Sequence, residues 1–462
     1  MSSSTSRLRI RAEDSAAQIK VLDSSANVVA EGIHALDAPL PDGFYKIRVR
    51  VGSEIQERLV ALDSSLPEQA FARPDIPTPI PFDGSTHSHE YHQDAVRQAW
   101  DHPAPARGHG AYLLVSAREW SAAQNLAHPD PAGALTLVFP DGKPVPFADF
   151  ARVRTAADAC AIGRVEVDPG LYRVELELPG GTRLRRALYA SANWTTQLYM
   201  LFRDQDGKRV PDLAGGSVAI AGEPAIASDE SRLTELALDA LVQHREIMSD
   251  DLRAMLTSKH FRPLLGILGA HLLLRDPGQK DLLGIVVNNL LNLLGPEHPD
   301  VAALWTKVED HVPPVREPPM LRASWDLLVE ASADRPDLIV PDSPAAKIAP
   351  YVVPSAAWLV WQPPADAQDT SCVDAKLDVL RSYMRAHVET GRLDALRREA
   401  DYSGSAGGGD ALESEALESV APPTQPGVMN DPGALGPEAL ADLTRALGVP
   451  LRTLDKMLKS LR

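Results

Sequence analysis

The chain has very little cysteine. Cys160 and Cys372 are its only two, and they lie far apart in the sequence. That excludes a disulfide framework and a thiolate zinc site, both of which need clustered cysteines. Long apolar runs are also missing. The longest, Pro263 to Leu274, is interrupted by Gly266, Gly269 and His271 and stops at Arg275-Asp276-Pro277. It falls well short of the ~20 residues that span a bilayer. The opening MSSSTSRLRIRAEDS has no apolar stretch of the kind a secretory leader carries. The expectation is a soluble, cytoplasmic protein without a membrane partner. Positive charge is short as well: Lys+Arg total 46 against Asp+Glu 63, a formal net charge of -17. A phosphate backbone or an anionic membrane repels such a surface, so nucleic acid could be met only through a local basic patch.

Signatures of common chemistries are absent too. There is no Walker loop, dinucleotide fingerprint or His-Glu-x-x-His helix. Gly404-Ser405-Ala406-Gly407 has the wrong spacing for a nucleophile elbow. Neither cysteine sits in a protease context. Asp250-Asp251 reads as favourable charge at a helix N-terminus. The expectation is a protein that is not an enzyme and needs no cofactor. One cluster does have ligand chemistry: His87, His89 and His92, with Glu90 and Asp94. Imidazoles and carboxylates suit zinc, and a His-x-His on a strand would place both rings on one face. A solvated loop after a proline-rich connector accounts for the same residues. A metal-dependent enzyme at this cluster is therefore an alternative to the main reading.

What is present is a change of period along the chain. Phe44 to Val51 and Ile55 to Val60 alternate apolar with charged residues around Gly52-Ser53-Glu54, which predicts a half-buried hairpin. The same grammar returns in Leu171 to Leu178 and Thr182 to Leu188 around Pro179-Gly180-Gly181. Aligning PDGFYKIRVRVGSEIQERLVAL with DPGLYRVELELPGGTRLRRALY predicts two copies of one β-unit. From Glu230 the period becomes helical, with Leu233, Leu236, Ala237, Ala240, Leu241 and His244 on one stripe. Pro263–Leu274, Lys280–Leu294 and His298–Val312 read as three further helices, separated by Pro277-Gly278 and Gly295-Pro296. His271 reads as a hydrogen-bonded core residue. Asn288 and Asn289 read either as a buried contact fixing helix register or as exposed positions.

The predicted fold class is multidomain α+β. Residues 7–65 form a first β-sandwich-like unit, 66–110 a Pro/His-rich connector and 111–228 a second β-unit. Residues 229–400 are expected to form a helical domain with a proline-rich wrapping segment, 401–433 a low-complexity, disordered linker and 434–462 a helical hairpin. In that hairpin Leu443 and Leu447 precede Gly448-Val449-Pro450, and Leu451, Leu454 and Leu458 follow. This is the spacing of a two-helix docking element, and these leucines are the candidate interaction residues. With Arg445, Arg452, Lys456, Lys459 and Arg462 it also has the outline of a DNA-binding helix-turn-helix.

The Gly-aromatic-Tyr and Gly-Leu-Tyr hairpins resemble carboxypeptidase regulatory-like or PEGA-type β-modules, which scaffold and bind. The run PLLGILGAHLLLRD with LLGIVVNNLLNLLGPEHPDVAAL, within Pro263 to Leu304, resembles a helical module of bacterial proteins associated with caspase-like and other peptidases in conflict and defence systems. That resemblance implies an adaptor or effector whose partner is a protein, a peptidase among the candidates. It supplies no catalytic residue.

Overall fold

The computed structural model describes residues 5–14, 17–51, 54–72, 78–81, 87–119, 132–155, 160–179, 181–205, 207–226, 229–245, 249–354, 356–363, 371–390 and 437–461. The 401–433 linker lies outside the described residues. The fold is α+β, with two small β-sandwiches followed by helices.

The first sandwich contains β1 (Thr5–Ala12), β2 (Gln18–Leu22), β3 (Val28–Ile33), β4 (Ala35–Pro41), β5 (Gly43–Val51), β6 (Glu54–Leu62) and β7 (Gln69–Phe71). Strict alternation shapes β1: Arg7, Arg9 and Arg11 face out while Leu8, Ile10 and Ala12 are buried. The strand order is β6-β5-β2-β3-β4-β1-β7. His34, at φ 63, breaks the path between β3 and β4, which pair only at Ile33 and Ala35. The sheet thereby folds into two layers, with Leu8, Ile10, Ile19, Ile47 and Val49 packed between them.

After α1 (His87–Asp101) comes the second sandwich. Its strands are β8 (Ala111–Arg118), β9 (Leu135–Val138), β10 (Pro144–Pro146), β11 (Ala151–Thr155), β12 (Cys160–Val167), β13 (Gly170–Glu177), β14 (Arg183–Ala190), β15 (Thr195–Gln205), β16 (Lys208–Pro211) and β17 (Ser217–Ala221). The two sandwiches share one topology. The order β3-β2-β5-β6 recurs as β10-β9-β13-β14. β1 is antiparallel to β4 and parallel to β7, as β8 is to β12 and β15. The duplication legible in two hairpins thus extends through seven strands.

Details of the repeat are kept as well. Tyr45 donates its hydroxyl to the Pro41 carbonyl at 2.8 Å, and Tyr172 donates to Asp168 at 2.9 Å, each four residues back. The Arg48–Glu57 pair across the first hairpin returns with its signs exchanged as Glu175–Arg185. α1 covers the outer face of the second copy, where Val96 and Ala99 meet Leu114 and Ile162.

The helices are α2 (Asp229–Val242), α3 (Ser249–Ser258), α4 (Pro263–Leu273), α5 (Lys280–Leu294), α6 (Pro299–Trp305), α7 (Arg322–Asp334) and α8 (Pro344–Ile348). Every residue of α4 is buried. Two glycines permit this: a Cβ at Gly266 would lie 2.7 Å from Lys259 Cβ, and one at Gly269 2.9 Å from Leu256 Cδ2. α6 is shorter than its apolar pattern predicts. Thr306 turns its hydroxyl onto the Ala303 carbonyl at 2.6 Å, a bond that competes with helix continuation, and Pro313 and Pro314 follow.

One apolar core runs from Ala111 to Trp361 and includes both the second sandwich and these helices. The proline-rich return closes it by adding β18 (Val360–Trp361) antiparallel to the edge of β14. The first sandwich meets α2 through Leu236 and an Asp14–Arg232 ion pair. Then follow α9 (Ser371–Thr390), α10 (Pro437–Leu447) and α11 (Leu451–Ser460). Among the described residues no helix is long and apolar enough to cross a membrane.

If the two tyrosine hydroxyls fix the entries to their hairpins, Tyr45→Phe and Tyr172→Phe each lower stability by about 1 kcal/mol in denaturant unfolding. Unchanged midpoints in both variants would remove that role.

Candidate functional site

Two features concentrate polar groups in the helical region: a closed hub at the start of α7, and the seat of the terminal hairpin beside it. The hub begins with Pro299, which starts α6 and places Asp300 in its first turn. The carboxylate crosses to the start of α7. Oδ2 accepts the Met320 N–H at 2.8 Å, and Oδ1 accepts the Leu321 N–H at 2.9 Å. Negative charge is thus placed where the helix leaves donors unpaired. The Ser324 hydroxyl also bonds this carboxylate. Ser324 Oγ lies 2.8 Å from His271 Nε2. A hydroxyl has one proton; given to Asp300, it leaves His271 Nε2 as the donor to Ser324.

The order His271, Ser324, Asp300 rules out the usual nucleophilic use of these residue types. A catalytic serine must hand its proton to the histidine, with the carboxylate behind the ring. Here the serine stands in the middle, and Ser324 and Asp300 are both sealed from solvent. Burial pushes Asp300 up to about 6 against the hydrogen bonds that pull it down. Burial, and then the Arg275 charge, push His271 down to about 3. His298 is also pushed down to about 3 by burial. Its ring lies 4.8 Å from that of Tyr189, and neither nitrogen has a hydrogen-bond partner among the described residues. Its Nδ1 is 3.9 Å from Asp300 Oδ2, beyond hydrogen-bond reach. The hub is a set of neutral or inward-bonded groups that locks α4, α6 and α7 together.

The terminal hairpin sits next to this hub. Trp325, fully buried one residue after Ser324, donates its indole N–H to the Gly448 carbonyl at 3.1 Å. Gly448 adopts φ +60 in the turn between α10 and α11, a conformation open to glycine. Leu443, Leu447, Leu454 and Leu458 are buried against Leu380 and Tyr383 of α9, and Leu451 is packed against the same cluster. Arg452 and Lys456, one turn apart on α11, face Asp337 and Asp342 beyond α7. Arg445 and Lys459 pair with Asp442 and Asp455 within the hairpin.

No family model matches the chain. No curated protein matches it. Among solved structures, it aligns with the Bacillus anthracis TIE protein at 12% identity and a TM-score of 0.16, over 41% of this chain and 32% of that one. The chain spans about a third of that protein's length, and a likeness this slight carries no argument.

The structure treats the sequence-based candidates unequally. The five hairpin leucines come together, and their partner surface is the chain itself. His271 is the hydrogen-bonded core residue expected of it. Asn288 is exposed and Asn289 half-buried, so neither is a sealed register contact. His87, His89 and His92 fall at the start of α1, and their side chains lie outside the described residues. Because the backbone there is helical, positions 87 and 89 are turned about 200° apart, and the strand argument for a shared face does not apply. Among the described residues no group of three or more His, Cys, Asp or Glu side chains could hold a metal. Asp300, Ser324, His298 and Trp325 had no signal in the sequence: Asp300 reads as ordinary first-turn charge, and nothing in its spacing reveals a bond to residues 320 and 321.

The hub predicts a pH dependence. Unfolded, each histidine titrates near 6.5; folded, both stay neutral to about 3. Their contribution is full above pH 6.5 and is lost as pH falls below it. Asp300 acts in the opposite sense, since between about 6 and 3.8 the folded state holds the extra proton. Together the three groups lower stability by about 1.4 kcal/mol for each unit of acidification from pH 6 to pH 4. His298→Phe removes one histidine contribution and brings this net slope close to zero. Denaturant unfolding from pH 4 to 6 therefore gives wild type and variant slopes differing by about 1.4 kcal/mol per unit; identical slopes contradict a neutral buried His298.

Proposed function

We propose that this chain is a cytoplasmic protein-interaction protein, an adaptor or effector without catalysis of its own, whose terminal hairpin is a docked and releasable element. The supporting observation is the seat itself: one buried indole-to-carbonyl bond, a leucine cluster and two exposed ion pairs hold α10 and α11 on α7 and α9. The residues numbered 391–436 connect the hairpin to α9 and contain a stretch rich in Gly, Ser, Ala and Glu. While that connection is intact the hairpin is presented to its seat at an effective concentration on the order of millimolar. A single cut there would reduce it to an ordinary non-covalent ligand, which dilution removes. The resemblance of Pro263–Leu304 to peptidase-associated modules points to a peptidase as the partner that makes the cut.

The DNA-binding reading of the same hairpin has less support. Its leucine face is already used, and Arg445, Arg452, Lys456 and Lys459 each face a carboxylate of this chain; Arg462 lies outside the described residues.

Incubating the full chain with a caspase-like peptidase tests the proposal. The expected outcome is one cut between positions 391 and 436, with the hairpin separating from the body on gel filtration at low-micromolar protein. An uncut chain that also forms no complex with the peptidase would sink the reading.

A further inference from the structure

The repeat shows what one of its faces is for. Aligned by register, with Tyr45 opposite Val60 and Tyr172 opposite Leu188, Phe44 corresponds to Leu171, Leu59 to Ala187 and Arg58 to Arg186. In the second copy the chain itself occupies this surface. β18 adds antiparallel to β14, setting Val360 opposite Arg186 and Trp361 opposite Arg185. Leu171 and Ala187 are 7% and 0% exposed on this face; Arg186 points to the opposite, inner face of β14, where it is fully buried with its guanidinium 4.3 Å from the Trp358 ring centre. His298 of the helical region closes over neighbouring Tyr189.

In the first copy the same surface is bare. Phe44 and Leu59 are 78% and 79% exposed, and Ile55 is 50% exposed. β6 ends its sheet, with β5 as its strand partner. From the β7 side it is met by side-chain contacts: Gln56 to the Ala72 carbonyl at 3.4 Å, Arg58 to Gln69 at 3.2 Å, and the Arg58 guanidinium 4.4 Å from the Phe71 ring centre. The nine residues of β6 (Glu54–Leu62) thus present an outer row of backbone donors and acceptors beside two large apolar side chains. Such an edge is a template for another strand.

We propose that β6 is a strand-addition site for a protein partner. An extended segment of β-branched and aromatic residues pairs antiparallel with β6, as β18 pairs with β14, and covers Phe44 and Leu59. Main-chain bonds supply the attachment, and the two exposed side chains select apolar residues on that face. The site is independent of the terminal hairpin and stands whether or not the hairpin is released.

The probe is a peptide of the β18 sequence, Ala357 to Gln362, flanked by lysines for solubility and added to the full chain. Amide hydrogen exchange should slow at least tenfold within 54–62. A backbone N-methylated version of the peptide should give no protection. Leu59→Lys, at a solvent-facing position the fold tolerates, should weaken binding tenfold or more by fluorescence anisotropy while leaving the melting temperature unchanged. Three results would overturn the proposal: no protection of 54–62 at saturating peptide, protection equal with the N-methylated peptide, or protection confined to 183–190 through displacement of β18. Protection of 54–62 that rises with protein concentration in the absence of peptide would overturn it in favour of a second copy of this chain.

Discussion

The carboxylate of Asp300 is the contact on which the helical region depends. It is sealed from water, and a buried charge is tolerable only where hydrogen bonds replace lost hydration. Two backbone N–H groups and a serine hydroxyl do so, and all three belong to the approach and first turn of α7. Those bonds fix where α7 begins. The position of α7 sets that of Trp325, and so the seat of the hairpin. The same segment carries the next connection, because Met320 accepts the Leu359 N–H at 2.7 Å and Ala357 accepts the Arg322 N–H at 2.9 Å. Through residues 357–361 the hub reaches β18 and the edge of the second sandwich.

Duplication followed by unequal use explains the rest of the architecture. Both copies keep the tyrosine bond and the cross-strand ion pair, features internal to a hairpin. They differ in what lies outside it. The second copy has acquired small residues, such as Ala187 where the first has Leu59, and its outer face has become an internal layer under the helices. The first copy retains large apolar side chains on a charged sheet and meets the remainder through α2.

Legibility in the sequence followed the range of the interactions. Hairpins and helices were readable because period 2 and period 3.6 are local. The hairpin of α10 and α11 was readable to within a few residues for the same reason. Several strands carry no such signal: β3 is largely exposed and β4 half-buried, so neither shows a clean apolar face. The 228/229 boundary marks a change of secondary structure, whereas the core crosses it, because packing between Ala111 and Trp361 leaves no local trace. The hub was invisible for a stronger reason. Its meaning lies in where one carboxylate points, and a short His-Pro-Asp sequence gives the start of a helix without its target.

The indole of Trp325 finds its carbonyl partner 123 residues further along the chain. During translation that stretch takes roughly ten seconds to emerge. Until residues 437–461 are in place, the Trp325 indole N–H lacks the Gly448 carbonyl and the apolar seat on α7 and α9 has no cover. A helix of other origin could meet the same uncovered leucine-lined surface before the hairpin does.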